Sequence, residues 1–416
     1  MAGLVYDVVV IGGGPAGLAA AIKTTEYGLK TLVLEQGEKL GGITLQCIHP
    51  GFGIHYFKED LTGPEFIYRF IKKIESLGVE YYTNAYVESI EYRSIMEKKI
   101  SVIMPGRVLD ITTKTIIYTT GARERHRYEI NIPGANVSGV YTAGEAQAMM
   151  DLWGVMPGKR VVIVGSGDVG LIMARRFALE GARVEAVIEI LPYPGGLTRN
   201  IVQCLKDYNI PLYLSHAVVE IKGRKRVEKV VVAKVNENLE PIPGTEREIE
   251  CDTVVIAAGL IPQVRLLEKL GVPIDPATRG PIVNDYLETS IPGIFVAGNA
   301  LVINDFVDYA VEQGEQAADG ARLFIENKGI HTRKWRRIVK GRNIRLAVPH
   351  YVSGDKDVVL YARVKWPEDN VWFRIPETGR KLFMPKVRPA EMIRYVLAKD
   401  DILKTTDKIT LEVSGQ

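Results

Sequence analysis

Val8-Val9-Val10-Ile11-Gly12-Gly13-Gly14-Pro15-Ala16-Gly17-Leu18 sets four β-forming apolar residues against a G-x-G-x-x-G cluster, and a helical pattern follows from Leu18 to Tyr27. About 150 residues on, Val161-Val162-Ile163-Val164-Gly165-Ser166-Gly167-Asp168-Val169-Gly170 repeats the arrangement ahead of a helical pattern from Leu171 to Glu180. In such a strand–turn–helix the first glycine makes the tight turn, the second lets backbone approach a pyrophosphate, and the third lets the helix pack on the strand. The helix N-terminus then faces the phosphates. Two nucleotide sites are expected.

The first copy is complete. Its helix ends at Gly28, the strand Thr31-Leu32-Val33-Leu34 follows, and Glu35 stands at the strand tip, where an acid bonds adenosine ribose hydroxyls. In the second copy the helix ends at Gly181 and the strand is Val184-Glu185-Ala186-Val187-Ile188. Glu35 is seven positions past its glycine, whereas the seventh position of the second copy is Ile188 and Glu189 comes one later. The acid of the second copy is displaced by this count. A carboxylate there still repels a 2′-phosphate and no arginine directly follows it, which favours NAD over NADP.

At 416 residues the chain exceeds one ordinary core and predicts two or three domains. A net charge of +3 excludes little. No apolar run is long enough to span a bilayer, and the first strand starts within a few residues of Met1, so a cytoplasmic protein without an integral membrane segment or signal peptide is expected. Cys47, Cys204 and Cys251 are far apart, with no C-x-x-C and no spacing that holds zinc or an iron–sulfur cluster, so no metal centre is expected.

The duplication extends beyond the glycines. In the first copy Val87 to Ile90 and Ile100 to Met104 lead to Thr115-Ile116-Ile117-Tyr118-Thr119-Thr120-Gly121. In the second, Ala217 to Ile221 and Val230 to Val235 lead to Thr253-Val254-Val255-Ile256-Ala257-Ala258-Gly259. A short strand, Ile294-Phe295-Val296-Ala297, then stops at Gly298-Asn299, and a helical pattern runs from about Asp308 to Asn327.

Over about residues 4 to 330 this arrangement resembles the two-dinucleotide-binding-domain flavoproteins, the superfamily of thioredoxin reductase and the pyridine nucleotide-disulfide oxidoreductases. The resemblance implies an α/β fold of two Rossmann-like three-layer domains, one inserted in the other. Residues 1–122 and 284–330 would hold tightly but non-covalently bound FAD, and residues 123–283 would hold NAD(H). The implied FAD site comprises Gly12, Gly14, Pro15, Ala16, Gly17, Glu35, Gln36, Gly41, Gly42, Val87, Thr120, Gly121, Gly298, Asn299, Tyr309 and Ala310. The implied NAD site comprises Gly165, Gly167, Asp168, Val169, Gly170, Glu189, Ala258 and Gly259. Asn299 stands where the family has an aspartate on the flavin's ribityl chain, and an amide can still bond a hydroxyl. The helix beginning near Asp308-Tyr309-Ala310 would direct its dipole at the flavin's pyrimidine edge. With nicotinamide stacked on the isoalloxazine, hydride transfer is governed by positioning.

Disulfide-reducing members carry a cysteine pair after the first Gly-Gly or ahead of the second glycine loop. This chain reads Ile43-Thr44-Leu45-Gln46-Cys47-Ile48-His49 and Tyr141-Thr142-Ala143-Gly144-Glu145 there, which disfavours thioredoxin or glutathione reduction. Cys47 alone remains a candidate peroxidatic thiol for a free-standing NADH oxidase or peroxidase, and His49 and His55 share its loop as candidate catalytic proton donors near the flavin's reactive edge. The bland alternatives are a buried small hydrophobe and histidines bonded to loop backbone.

The run from Gln46 to Pro64, with Pro192-Tyr193-Pro194-Gly195-Gly196-Leu197-Thr198-Arg199-Asn200, resembles the FAD/NAD-dependent subunits found with anaerobic glycerol-3-phosphate dehydrogenase. More distantly the chain resembles subunits of dye-linked proline and opine dehydrogenases. That implies a hetero-oligomeric electron-transfer subunit exchanging electrons between NAD(H), FAD and a partner's flavin or iron–sulfur centre. A non-catalytic FAD-holding scaffold is the alternative from another class.

Residues 331–416 differ in kind. Trp335, Trp366 and Trp372 lie in or near short alternating strands, which predicts a small β-rich module. A basic linker, Arg333-Lys334-Trp335-Arg336-Arg337 through Lys340, Arg342 and Arg345, leads into it. Without a recognition fold, nucleic acid is not expected. The two readings are a solvated connection and a docking surface for an acidic partner.

Overall fold

A computed structural model describes residues 4–332 and 334–415. The chain divides into two compact units, Met1–Ala122 with Pro262–Gln416, and Arg123–Ile261. In the first unit a seven-stranded sheet runs in the order Glu80–Tyr82, Thr31–Leu34, Leu4–Ile11, Arg107–Tyr118, Glu97–Met104, Tyr86–Ser94, with Ile294–Val296 also paired to Arg107–Tyr118. Leu4–Ile11 lies parallel to both neighbours, pairing Ile11 with Leu34 and with Tyr118. That register brings Gly12, Glu35 and Thr119 to the same carboxyl edge. Val8, Val9 and Val10 are wholly buried, as expected of a parallel strand covered on both faces.

The helix Pro15–Glu26 starts with proline in its first turn and is followed by a turn at Gly28, the usual asymmetry of helix ends. It packs against the long helix Val307–Asn327 so closely that a Cβ on Gly314 would lie 2.1 Å from the Ala16 carbonyl oxygen. The helix Gly63–Ser76 is closed by a capping box between Thr62 and Glu65 and buries Phe66, Ile67, Phe70 and Ile74 at helical spacing. Among the described residues no helix is long and apolar enough to cross a membrane.

The second unit has a parallel five-stranded sheet ordered Val140–Thr142, Thr253–Ile256, Arg160–Val164, Arg183–Ile188, Leu212–Tyr213, with a separate antiparallel three-stranded sheet. Its helices are Ala143–Asp151, Asp168–Leu179 and Thr198–Cys204. The unit ends at Ile261, so residues 262–283, expected from the sequence to lie in the inserted domain, group with the first unit. There Gly280 abuts the chain just past Gly298, where an added Cβ would lie 1.9 Å from the Leu301 carbonyl oxygen.

The C-terminal residues form a five-stranded and a three-stranded sheet around their own core, which includes Val364, Phe373, Ile375 and Leu411. They also group with the first unit, because Leu346 and Val348 enter its core and several polar ties cross over. The basic linker is not a free patch. Lys334 pairs with Asp407, Lys340 with Asp275 and Arg342 with Glu368, while buried Arg336 donates to the Thr405 and Ser353 carbonyls; Arg333 lies outside the described residues. A strand, Arg336–Lys340, stands where a solvated connection or a docking surface was expected; Arg336 and Lys340 are bonded within the protein and Arg337 is exposed.

Asp275 is the centre of one such tie. Burial alone would raise its carboxyl, but His350, the Ala277 N–H and Lys340 hold it well below the usual carboxylate range. A depressed folded pKa contributes stability that is fully present above the unfolded value and lost as pH falls through the folded one. Asp275→Asn should therefore cost about 1 to 2 kcal/mol at neutral pH. Urea unfolding at successively lower pH should show the wild-type advantage shrinking below about 3.8, the ordinary aspartate value.

Candidate functional site

The two glycine loops are built alike. A Cβ on Gly12 would sit 2.4 Å from the Thr119 carbonyl oxygen, and one on Gly165 2.3 Å from that of Ala257. The third glycines repeat the pattern, with added Cβ atoms 1.9 Å from Gly12 O at Gly17 and 2.4 Å from Gly165 O at Gly170. Gly14 and Gly167 are different, since a Cβ on either meets nothing within 4 Å. These middle glycines are helix N-caps without a side-chain cap, so the first turn is left uncapped by side chains at both loops, and the space beside each glycine Cα is open. The donor set and the open approach suit the phosphates of a dinucleotide at each loop.

The acids also correspond. Glu35 accepts the Gly13 N–H at 2.7 Å and the Gly37 N–H at 2.6 Å. Glu189 accepts the Ser166 N–H and the Leu191 N–H, both at 2.9 Å. Gly12 N donates to Leu34 O and Gly165 N to Ile188 O, so Glu189 is the structural counterpart of Glu35. The offset counted in sequence disappears because the second pair of strands is bulged. Val161 pairs with Val184 but Val162 pairs with Ala186, which leaves Glu185 as an extra residue.

Gly41 and Gly42 lie over the first loop, with Gly41 N donating to Gly13 O at 2.8 Å and a Cβ on Gly42 falling 3.1 Å from Gly14 Cα. Gly195 and Gly196 do the same over the second: Gly195 N donates to Ser166 Oγ at 2.9 Å, and a Cβ on Gly195 would be 3.4 Å from Gly167 N. Asp168 Oδ1 holds this segment by accepting Leu197 N at 2.8 Å and Asn200 Nδ2 at 2.7 Å. Sequence reasoning missed the correspondence, although Glu35-x5-Gly41-Gly42 and Glu189-x5-Gly195-Gly196 share one spacing. Val169 is exposed beside the second loop, and Ala258 and Gly259 follow the strand that pairs with Arg160–Val164.

Around the first loop, Gly298 adopts φ +69° against Ala16, and its N–H donates to buried Gln313 Oε1 at 3.0 Å. Ala310 lies beside Gly298, and Asn299 Oδ1 accepts the Asn304 N–H. Thr120 Oγ1 donates to the Gln263 carbonyl, while Gly121 has φ +68° and open space beyond it. Gln36 is exposed next to Glu35, and Val87 lies buried just beyond Asn84 and Ala85, whose N–H groups bond Gly37 and Glu35 carbonyls.

The long helix begins at Val307, and its first turn carries Asp308, named from the sequence only as the helix start and here a buried acid. Asp308 Oδ1 accepts the His55 and Tyr56 N–H groups at 3.0 and 2.7 Å, and Oδ2 has no partner among the described residues. His55 stacks on Tyr309 at 5.8 Å and meets Phe306 edge-on at 4.8 Å. His49, by contrast, bonds the Pro50 carbonyl through Nδ1 and packs on Phe52. Of the loop histidines, His55 is the one carried to the long helix.

All three cysteines are free thiols. Burial pushes Cys204 up to about 11 and Cys251 up to about 12, while partly exposed Cys47 donates to the Ile43 carbonyl. Titration with a thiol reagent at pH 8 should modify Cys47 alone in the folded protein and all three thiols in denaturant.

Two glycine loops with matched acids, on two α/β units, define the two-domain FAD/NAD(P) Rossmann class seen in thioredoxin reductases. The chain belongs to the pyridine nucleotide-disulphide oxidoreductase family, which it matches over residues 6–314. It is 26% identical over 320 residues to an opine oxidase subunit of Agrobacterium tumefaciens (strain Ach5), covering 71% of this chain and 61% of that protein. It is 27% identical to the NAD(P)H coenzyme A polysulfide/persulfide reductase of Pyrococcus horikoshii, covering 70% and 62%. The chain thus spans less than two thirds of the length of these relatives. Among solved structures, T. acidophilum thioredoxin reductase superposes with a TM-score of 0.64 at 26% identity, covering 77% of this chain and 99% of that one.

Proposed function

We propose that this chain is an FAD-dependent NAD(H) oxidoreductase serving as the electron-transfer subunit of a multi-subunit dehydrogenase, similar to those that oxidise glycerol 3-phosphate. The observation that carries the reading is the pair of equivalent nucleotide cradles in a chain whose two nucleotide-domain thiols are buried and raised. A bound flavin would supply hydride acceptance from NADH and onward electron release. The protein's part is to bind and orient: the Gly12–Gly17 loop and Glu35 for FAD, the Gly165–Gly170 loop and Glu189 for NAD(H). Glu189 and the absence of a following arginine support NAD over NADP. Two relatives are named as subunits, one of opine oxidase and one, HcnB, of hydrogen cyanide synthase, which supports a subunit role.

Anaerobic addition of NADH should bleach the flavin of the purified protein, and a flavin left oxidised by both NADH and NADPH would refute the enzyme reading in favour of a scaffold. Titrating the co-purified complex with glycerol 3-phosphate, proline and NADH identifies the donor. Cys47, the one cysteine that is not buried, supports a second reading as an NADH oxidase or peroxidase. Full physiological turnover in Cys47→Ser would eliminate it.

A further inference from the structure

The two acids are equivalent in place but not in what they have left to give. An ionised carboxylate offers about four acceptor positions on two oxygens. Glu35 uses one on each oxygen, for Gly13 N and Gly37 N. Glu189 uses one on Oε1, for Leu191 N, and two on Oε2, because Ser166 supplies both its N–H and its hydroxyl, the latter at 2.5 Å. Ser166 is wholly buried, and its Oγ also accepts Gly195 N at 2.9 Å. At the corresponding point of the first copy there is no side chain: Gly13 stands in place of Ser166, and Gly41 N donates to a backbone carbonyl.

We propose that Ser166 limits the affinity of the second nucleotide site, where its hydroxyl occupies Glu189 and holds the Gly195-Gly196 turn on the glycine loop, so that one ribose hydroxyl finds an acceptor where the first site offers two. The inference rests on the reading of this site as one for an adenine dinucleotide. It makes the second site a deliberately weaker binder, suited to a substrate that must leave after each hydride transfer. The first site, with both acceptors open, is suited to a resident cofactor. Ser166→Gly restores the first copy's residue, so the fold has a precedent for it, and Ser166→Ala removes the hydroxyl while keeping Cβ.

Calorimetric titration of the holoprotein with ADP-ribose, which carries the adenosine and pyrophosphate but no redox group, tests the idea. Both variants should bind about tenfold tighter than the wild type, the effect of one freed hydrogen bond to a charged acceptor. ADP, with the same ribose, should gain by a similar factor. 2′-Deoxy-ADP and 3′-deoxy-ADP serve as controls, and at least one should gain markedly less than ADP. Unchanged or weaker binding in both variants overturns the role of Ser166 while leaving the NAD reading in place. A wild type and variants that all fail to bind ADP-ribose or NADH overturn both.

Discussion

Gly14→Ala should give a folded protein that has lost its flavin, whereas Gly17→Ala should lose both flavin and stability. A Cβ on Gly14 meets no atom within 4 Å, so the protein itself has room for it. The change from glycine to alanine at a helix N-cap costs at most about 1 kcal/mol. The space it fills is the approach by which phosphate oxygens reach the N–H groups of Pro15–Glu26's first turn, and flavin affinity should fall far enough for the cofactor to be lost on gel filtration. At Gly17 the added atom would lie 1.9 Å from Gly12 O and 2.7 Å from Thr119 Oγ1. Neither can retreat, since Thr119 Oγ1 is bonded to the Ile11 and Gly12 carbonyls at 3.0 Å and Gly12 already abuts Thr119 O. Overpacking of this kind costs up to about 3 kcal/mol. Flavin absorbance after gel filtration and urea unfolding of the two variants separate binding from folding; a flavin-replete Gly14→Ala protein would remove the first loop from the cofactor site.

The second large effect is expected at Asp305. Asp305 and Arg363 form a buried ion pair, with side-chain exposures of 5% and 9%. The arginine also donates to the carbonyls of Ile303, Pro389 and Ala390, and Asp305 Oδ2 accepts the Met392 N–H. Asp305→Ala leaves a buried guanidinium uncompensated, a loss of about 3 to 5 kcal/mol. The segment released is the approach to the long helix, which is otherwise tied to the C-terminal sheets through Glu312, bonded by Tyr361 and Arg394. Limited proteolysis should therefore cut the C-terminal residues first in this variant. Asp305→Leu combined with Arg363→Met should recover most of the stability, because removing both charges also removes the cost of burying them. If Asp305→Ala unfolds at the wild-type urea midpoint, the pair does not anchor these sheets.

The contrast between what was legible and what was not follows the range of each interaction. The glycine loops could be read directly because a turn, a strand and a helix start are local, and Gly12 and Gly165 declare their backbone by lacking a side chain. The acid of the second copy, Glu189, was named from the sequence but counted as displaced by one, because the bulge at Val161/Val162 is a property of two strands pairing, not of either one. The basic linker looked like a free surface because its partners Asp275, Glu368 and Asp407 are distant in sequence. His55 could not be distinguished from His49 until the fold carried its loop to Asp308, Phe306 and Tyr309.

From residues alone came the α/β class, the two glycine loops and a β-rich C-terminus, all set by local period, turn chemistry and composition. Folding in three dimensions settled where Glu189 stands, that Gly195-Gly196 closes over the second loop as Gly41-Gly42 does over the first, and that the C-terminal sheets join the first unit. Those outcomes depend on register and on charges meeting across the fold, and neither is written in the spacing of any single segment.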